Sequence, residues 1–321
     1  MNFRVLSLDG GGLVSLLPAT LIRRIEDARP GFLKRVDLFA GTSAGGIMAL
    51  ILSSAKPVDE KTQACIDLWT KVPVFTSGPV RSAAGLLGQT ALFDPKGLTE
   101  FLDDWFGDTR LGDLPHRILV PSFKLDGMID GVRSWRAKVF HNFSFDDEPD
   151  VHERAVDVAR ATSASPITFP IYSGFVDGGL FANDPAMCAI TQVIACSEKG
   201  KGHDRPLKLS ETVLLSMGSG NDGRFVDAPN GDWGWQSWLL GQEPFLLLEA
   251  MYDSVGTAVE FQSRRLLGQR YFRLNPSLGQ THNMTGQRNN GITERAKEVA
   301  ESTDLTRVLD WLDRSGWFEG G

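Results

Sequence analysis

The sequence predicts an α/β protein, and two strand–turn–helix units near its start carry that prediction. In the first, the apolar run Phe3 to Leu8 reads as a strand, Asp9-Gly10-Gly11-Gly12 ends it, and Leu13 to Arg29 reads as a helix. In the second, Val36-Asp37-Leu38-Phe39-Ala40 reads as a short buried strand. Gly41-Thr42-Ser43-Ala44-Gly45 turns it, and Ile47 to Ser54 continues as a helix. A third apolar run closes on Phe175-Val176-Asp177-Gly178-Gly179, followed by Asn183-Asp184-Pro185. Strand and helix alternating in this way is the pattern of the α/β class.

Each glycine turn has a chemical reading beside a structural one. Gly41 to Gly45 is a G-x-S-x-G at a strand-to-helix junction, where small neighbours permit a strained turn that lifts the Ser43 hydroxyl clear of the backbone. The plainer alternative is a tight turn in which Ser43 caps the helix. Gly10, Gly11 and Gly12 leave backbone N–H groups uncovered at a helix start, which suits a phosphate or the oxyanion of an acyl-transfer intermediate. A dinucleotide loop would need a third glycine in register, whereas Leu13-Val14-Ser15-Leu16 follows Gly12; a Gly-Lys-Ser/Thr Walker ending is absent too. Asp177 alone reads as a turn cap or a ligand. Beside a serine nucleophile and an oxyanion loop it acquires a role as general base, without histidine.

Taken in order, Asp9-Gly10-Gly11-Gly12, Gly41-Thr42-Ser43-Ala44-Gly45-Gly46 and Asp177-Gly178-Gly179 resemble the motifs of the patatin-like phospholipases. Ala161-Thr162-Ser163-Ala164-Ser165-Pro166, Phe169-Pro170 and Leu215-Ser216-Met217-Gly218-Ser219-Gly220 agree, with weaker similarity at Tyr271-Phe272-Arg273. The resemblance implies a Ser–Asp acyl hydrolase of the phospholipase A or lysophospholipase type. Its fold would be a three-layer α/β/α arrangement around a central, mostly parallel sheet, needing no metal or other cofactor. It assigns Ser43 as nucleophile, Asp177 as base and the amides of Gly10, Gly11 and Gly12 as the oxyanion hole, with Gly41, Thr42, Ala44 and Gly45 forming the nucleophile elbow. Where family members often carry Arg or Lys and then Gly just after the triple glycine, this chain has Val14-Ser15. Acyl hydrolysis is therefore implied more directly than a phosphate-bearing head group.

For Asp177 to act as a base, its site must raise a carboxyl pKa that is ordinarily near ~4. Desolvation by Phe175, Val176, Leu180 and Phe181 is the expected cause. His203 and His282 follow Ser43 and Asp177 in the chain order of a Ser–Asp–His triad, the rival mechanism. Both stand in polar segments and read as surface histidines.

Composition narrows the classes further. The 321 residues, 42% of them apolar, can bury a large core, and no linker or repeat divides them. One acyl hydrolase domain over 1–321 is expected, its motifs within 3–220 and peripheral helices over 233–321. A net charge of −7 argues against nucleic acid as a partner. Three cysteines (Cys65, Cys188 and Cys196) without C-x-x-C spacing fit a reducing cytoplasm and no metal site. No run approaches the ~20 apolar residues of a spanning helix, and the chain starts directly on a strand, so no signal peptide is expected. The expected location is the cytoplasm, with peripheral contact at the inner membrane face left open. Trp233, Trp235, Trp238 and the run Phe245 to Leu248 suit such a lipid surface, and equally a core helix or a homodimer contact. Pro73 to Asp94 reads as a flap over the site or an ordinary long connection. Two alternatives stand beside constitutive lipid hydrolysis: the same phospholipase held inactive until a cyclic nucleotide activates it in anti-phage defence, and a non-catalytic scaffold.

Overall fold

The computed structural model describes residues 2–129, 131–143, 150–199, 207–221, 223, 225–226, 231–240, 246–279 and 291–319. In chain order the elements begin β1 (Phe3–Leu8), α1 (Leu16–Ala28), β2 (Leu38–Gly41), α2 (Ala44–Ser53), α3 (Val58–Thr70), α4 (Pro79–Leu86) and α5 (Lys96–Phe106). Next come β3 (Arg117–Ile129), β4 (Val132–His141), α6 (Ala155–Thr162), β5 (Phe175–Asp177), α7 (Gly179–Ala182) and α8 (Ala186–Lys199). The chain continues with β6 (Thr212–Met217), α9 (Trp235–Leu240), α10 (Leu246–Leu267), β7 (Tyr271–Leu274), α11 (Ile292–Ser302) and α12 (Thr306–Arg314).

Among the described residues the strands form one sheet in the order β4-β3-β2-β1-β6-β7, with β5 also paired to β3. The pairs from β3 through β7 along that path are parallel, while β4 and β5 run antiparallel to β3. β1 is buried on both faces, and its side chains alternate between two cores. Leu6 and Leu8 pack with α1, α2, α3, α6 and α11; Phe3 and Val5 pack with α8 and α10. The result is the expected three-layer α/β/α arrangement around a mostly parallel sheet.

One part of the expected layout is corrected. The segment beyond residue 233 is more than peripheral helices. Tyr271–Leu274 extends the central sheet in parallel register with β6, and Trp317 is fully buried, stacked on Phe32 with ring centroids 5.3 Å apart. The short strand YFRL carries too little periodicity to separate it from the helices around it.

Strand register positions the site. Parallel β1 and β2 end together, Leu8 pairing with Gly41. β3 runs past them: Leu119 pairs with Ala40, and the antiparallel β5 returns so that Asp177 pairs with Ser122. The end of β5 is thereby brought just beyond the end of β2. α2, buried on all sides, packs so tightly behind β1 that a Cβ on Gly45 would lie 2.3 Å from the Leu8 carbonyl oxygen and 2.5 Å from that of Asp9. Backbone atoms at the end of a strand paired on both sides cannot step aside. Gly45→Ala is therefore expected to cost about 3 kcal/mol or more of stability, measured by urea unfolding.

Candidate active site

Ser43 sits at the junction of β2 and α2 with φ 55° and ψ −125°, a conformation that side chains rarely adopt. Three contacts hold it there. Its N–H donates to Thr162 Oγ1 at 2.9 Å, its carbonyl accepts from Ile47 N at 3.0 Å, and the preceding Thr42 N–H donates to the Leu8 carbonyl at 3.2 Å. Thr42 Oγ1 also donates to the Ala182 carbonyl at 2.6 Å, tying the turn to α7. Gly41 is obligatory for space, since a Cβ there would lie 2.2 Å from the Gly45 carbonyl oxygen. The strain lifts the hydroxyl out of the turn, as the G-x-S-x-G pattern predicts.

The Ser43 hydroxyl donates directly to Asp177 Oδ2 at 2.6 Å. Asp177 Oδ1 accepts from the Gly179 N–H at 2.8 Å, which sets the carboxylate plane. Asp177 is only 4% exposed, and burial pushes its carboxyl up to about 6, against the lowering effect of the Ser43 and Gly179 hydrogen bonds. The direction and its leading cause match the desolvation that the apolar neighbours led us to expect. Tyr252, from α10, packs beside Gly179, where an added Cβ would stand 3.2 Å from its ring. Among the described residues no histidine lines the cavity that holds Ser43 and Asp177; His203 and His282 both lie outside them.

The glycine loop departs from its expected role at one position. The Gly10 N–H donates to the Asn183 carbonyl at 3.0 Å, so it is committed to holding the loop. Gly11 and Gly12 remain as candidate donors toward Ser43, with Gly12 in the left-handed region at φ 54°. Gly10 is needed for closeness instead: a Cβ there would lie 2.4 Å from Asn183 Oδ1 and 3.2 Å from the Ser43 Cβ. Which amide pays its hydrogen bond to the protein is a tertiary matter, invisible in three consecutive glycines.

Ser43, Asp177 and the glycine loop line one cavity of ≈ 190 Å³, whose walls include Leu13, Val14, Ile47, Trp69, Val74 and Phe75. Leu13 and Val14, which follow the triple glycine, make this stretch of wall apolar. The segment Pro73 to Asp94 contributes a wall rather than a wholly irregular flap. It contains α4, bonds through Leu92 and Phe93 N–H to the Ile167 and Thr168 carbonyls, and closes an aromatic cluster of Phe75, Phe93 and Phe169 at centroid distances of 5.2 to 5.9 Å. Trp233 packs edge-on against Trp238 at 5.5 Å, while Trp235, Leu239, Leu247 and Met251 are exposed; Phe245 lies outside the described residues. No helix among the described residues is long and apolar enough to cross a membrane.

Thr162 and Asn183 hold the site together although nothing in their local sequence marks them for it. Thr162 accepts the Ser43 N–H while donating to the Pro121 carbonyl at 2.6 Å. Asn183 anchors Gly10.

Fold and site together define an α/β protein with a serine on a strained strand–helix turn, bonded to a buried carboxylate in an apolar cavity. The patatin-like phospholipase family model matches residues 6–190, and the chain belongs to that family. It is 32% identical over 282 residues to a cGAMP-activated phospholipase of Pseudomonas aeruginosa (strain BWHPSA011 / Pa011), covering 85% of this chain and 78% of that protein. Patatin-like protein 2 of Oryza sativa subsp. indica is 26% identical over 275 residues, covering 74% of this chain and 66% of that one. The crystal structure of VipD from Legionella pneumophila aligns with 96% of this chain and 67% of its own at 12% identity, with a TM-score of 0.44. Membership of the family implies lipid acyl hydrolase activity.

Proposed function

We propose that this chain hydrolyses carboxylic esters of lipids through an acyl-enzyme on Ser43. The observation that carries the reading is the 2.6 Å hydrogen bond from the Ser43 hydroxyl to a buried Asp177 inside an apolar-walled cavity. The ester carbonyl carbon is attacked by Ser43 Oγ as the hydroxyl proton passes to Asp177 Oδ2. The oxyanion is held by the Gly11 and Gly12 N–H groups. Asp177 returns the proton to the leaving alcohol, and water then cleaves the acyl-enzyme with Asp177 again as base. The wall of Leu13, Val14, Ile47 and Phe75 takes the acyl chain. With Val14 in that wall, the selection bears on the acyl chain more than on a phosphate.

A second reading concerns control. The relative named as a cGAMP-activated phospholipase favours a cyclic-nucleotide requirement in this chain as well. One experiment addresses both readings: fluorophosphonate labelling and p-nitrophenyl ester hydrolysis by the purified chain, with and without cGAMP. Labelling lost in Ser43→Ala is the expected result. A nucleotide dependence of about 10-fold or more supports the control reading, and equal rates with and without cGAMP reject it. Folded wild-type protein that stays unlabelled under both conditions rejects the hydrolase reading.

A further inference from the structure

We propose that Arg273 is a positioning residue for this reaction, fixing the glycine loop whose amides meet the substrate oxyanion by gripping Asp9 and Asp184 at once. The inference rests on the Ser43 reaction proposed above. Three glycines have no side chains with which to hold themselves in place, and their backbone is the freest in the chain. Something outside the loop must therefore aim it.

Arg273 is placed for this by strand register. It lies on β7 opposite Ser216 of β6, which lies opposite Ser7 of β1. Its guanidinium donates to both oxygens of Asp9, from Nη1 at 2.8 Å and Nη2 at 2.5 Å. Nη1 also reaches Ser216 Oγ at 2.7 Å and Asp184 Oδ2 at 3.3 Å. Asp184 is fully buried and accepts from Ser7 Oγ, Ser216 Oγ and the Ala186 N–H at the start of α8.

The two carboxylates flank one contact. Asp9 precedes Gly10 and Asp184 follows Asn183, and the Gly10 N–H to Asn183 carbonyl bond is what closes the loop. Arg273 thus grips the neighbour of each partner in that bond. Ser219 Oγ adds a bond to the Gly10 carbonyl at 3.0 Å. A buried ion group of this kind is weak evidence for stability, because desolvation offsets the attraction. One guanidinium faces two buried acidic side chains, and burial pushes the Asp9 carboxyl up to about 7. What such a cluster supplies is a fixed geometry, through a planar fork that lysine cannot reproduce.

The test compares Arg273→Lys, Asp9→Asn and their combination in the full chain, using a soluble ester and circular dichroism with thermal melting. Displaced oxyanion donors cost transition-state binding and spare the ground state. Arg273→Lys is expected to lower kcat about 10- to 100-fold with KM within about twofold. Asp9→Asn should lower kcat in the same way, and the double variant should fall no further than the worse single one, since both act through one contact. Asp9→Asn keeps the size of the buried side chain and leaves Arg273 its Asp184 partner, so it keeps the test open if Arg273→Lys fails to fold. Folded variants with unchanged kcat, a KM that rises in step with the loss, additive effects, or unfolding of all three variants would each overturn the positioning role. Wild-type chain that never labels at Ser43 would instead sink the underlying reaction.

Discussion

Replacing Ser43 by alanine is expected to lower kcat by about 10⁴-fold or more, because Ser43 carries the cavity hydroxyl that donates to Asp177, on which the proposed acyl-enzyme depends. The sharper prediction concerns Ser43→Gly. At φ 55° and ψ −125° serine is held in a region natural to glycine, and such strain costs on the order of 1–3 kcal/mol. Glycine removes that strain, while its extra freedom in the unfolded chain takes back roughly 0.5–1 kcal/mol. The glycine variant should therefore be equally inactive and about 1 kcal/mol more stable than the alanine variant. Urea denaturation of the two decides it. A glycine variant less stable than the alanine one would mean that the turn stores no strain for the nucleophile.

Asp177→Asn carries the second large effect. The amide keeps the size of the carboxylate and removes the base, for an expected loss of about 10³–10⁴-fold in kcat. In the wild type the base must be ionised, so kcat/KM falls as the pH drops through about 6, the value to which burial pushes Asp177. Stability moves the other way. The folded value lies above the ~3.9 of an unfolded aspartate, so the native state binds the proton more tightly between those values. That stabilising contribution is complete below pH ~4 and is lost as the pH rises through about 6. Above it the buried carboxylate is a net cost, on the order of 3 kcal/mol. Asp177→Asn is thus expected to be more stable than wild type at pH 8 and no more stable at pH 4. Equal stability differences at the two pH values would contradict the raised carboxyl. A stability gain bought by losing activity is the usual mark of a functional group held against its preference.

The strained Ser43 turn and its contact with Asp177 were legible in the sequence, for a local reason. A nucleophile on a strained turn needs small neighbours, and Gly41-Thr42-Ser43-Ala44-Gly45 displays them consecutively. Asp177-Gly178-Gly179 likewise signals a carboxylate at a turn that backbone amides can reach, and the Gly179 N–H indeed donates to it. Less legible were groups whose work depends on distant partners. The Gly10 amide looked identical to those of Gly11 and Gly12 until Asn183 was seen to accept its hydrogen. Thr162 and Arg273 stand in segments already noted for resemblance, yet nothing local marks one as holding the Ser43 N–H and the other as holding Asp9. β7 was absorbed into a helical expectation because a strand of four residues has too few positions to display a period.

By itself the sequence determined the α/β class, the strained serine turn, the glycine loop and the partner aspartate, because each rests on backbone conformations that short runs of particular residues permit or forbid. The tertiary structure alone decided that the Gly10 amide is committed to Asn183, how far burial raises Asp177, and that an arginine from β7 grips the residue ahead of the loop. Those are matters of desolvation and of hydrogen-bond partners far apart in sequence, and both exist only once the sheet has brought its strand ends together.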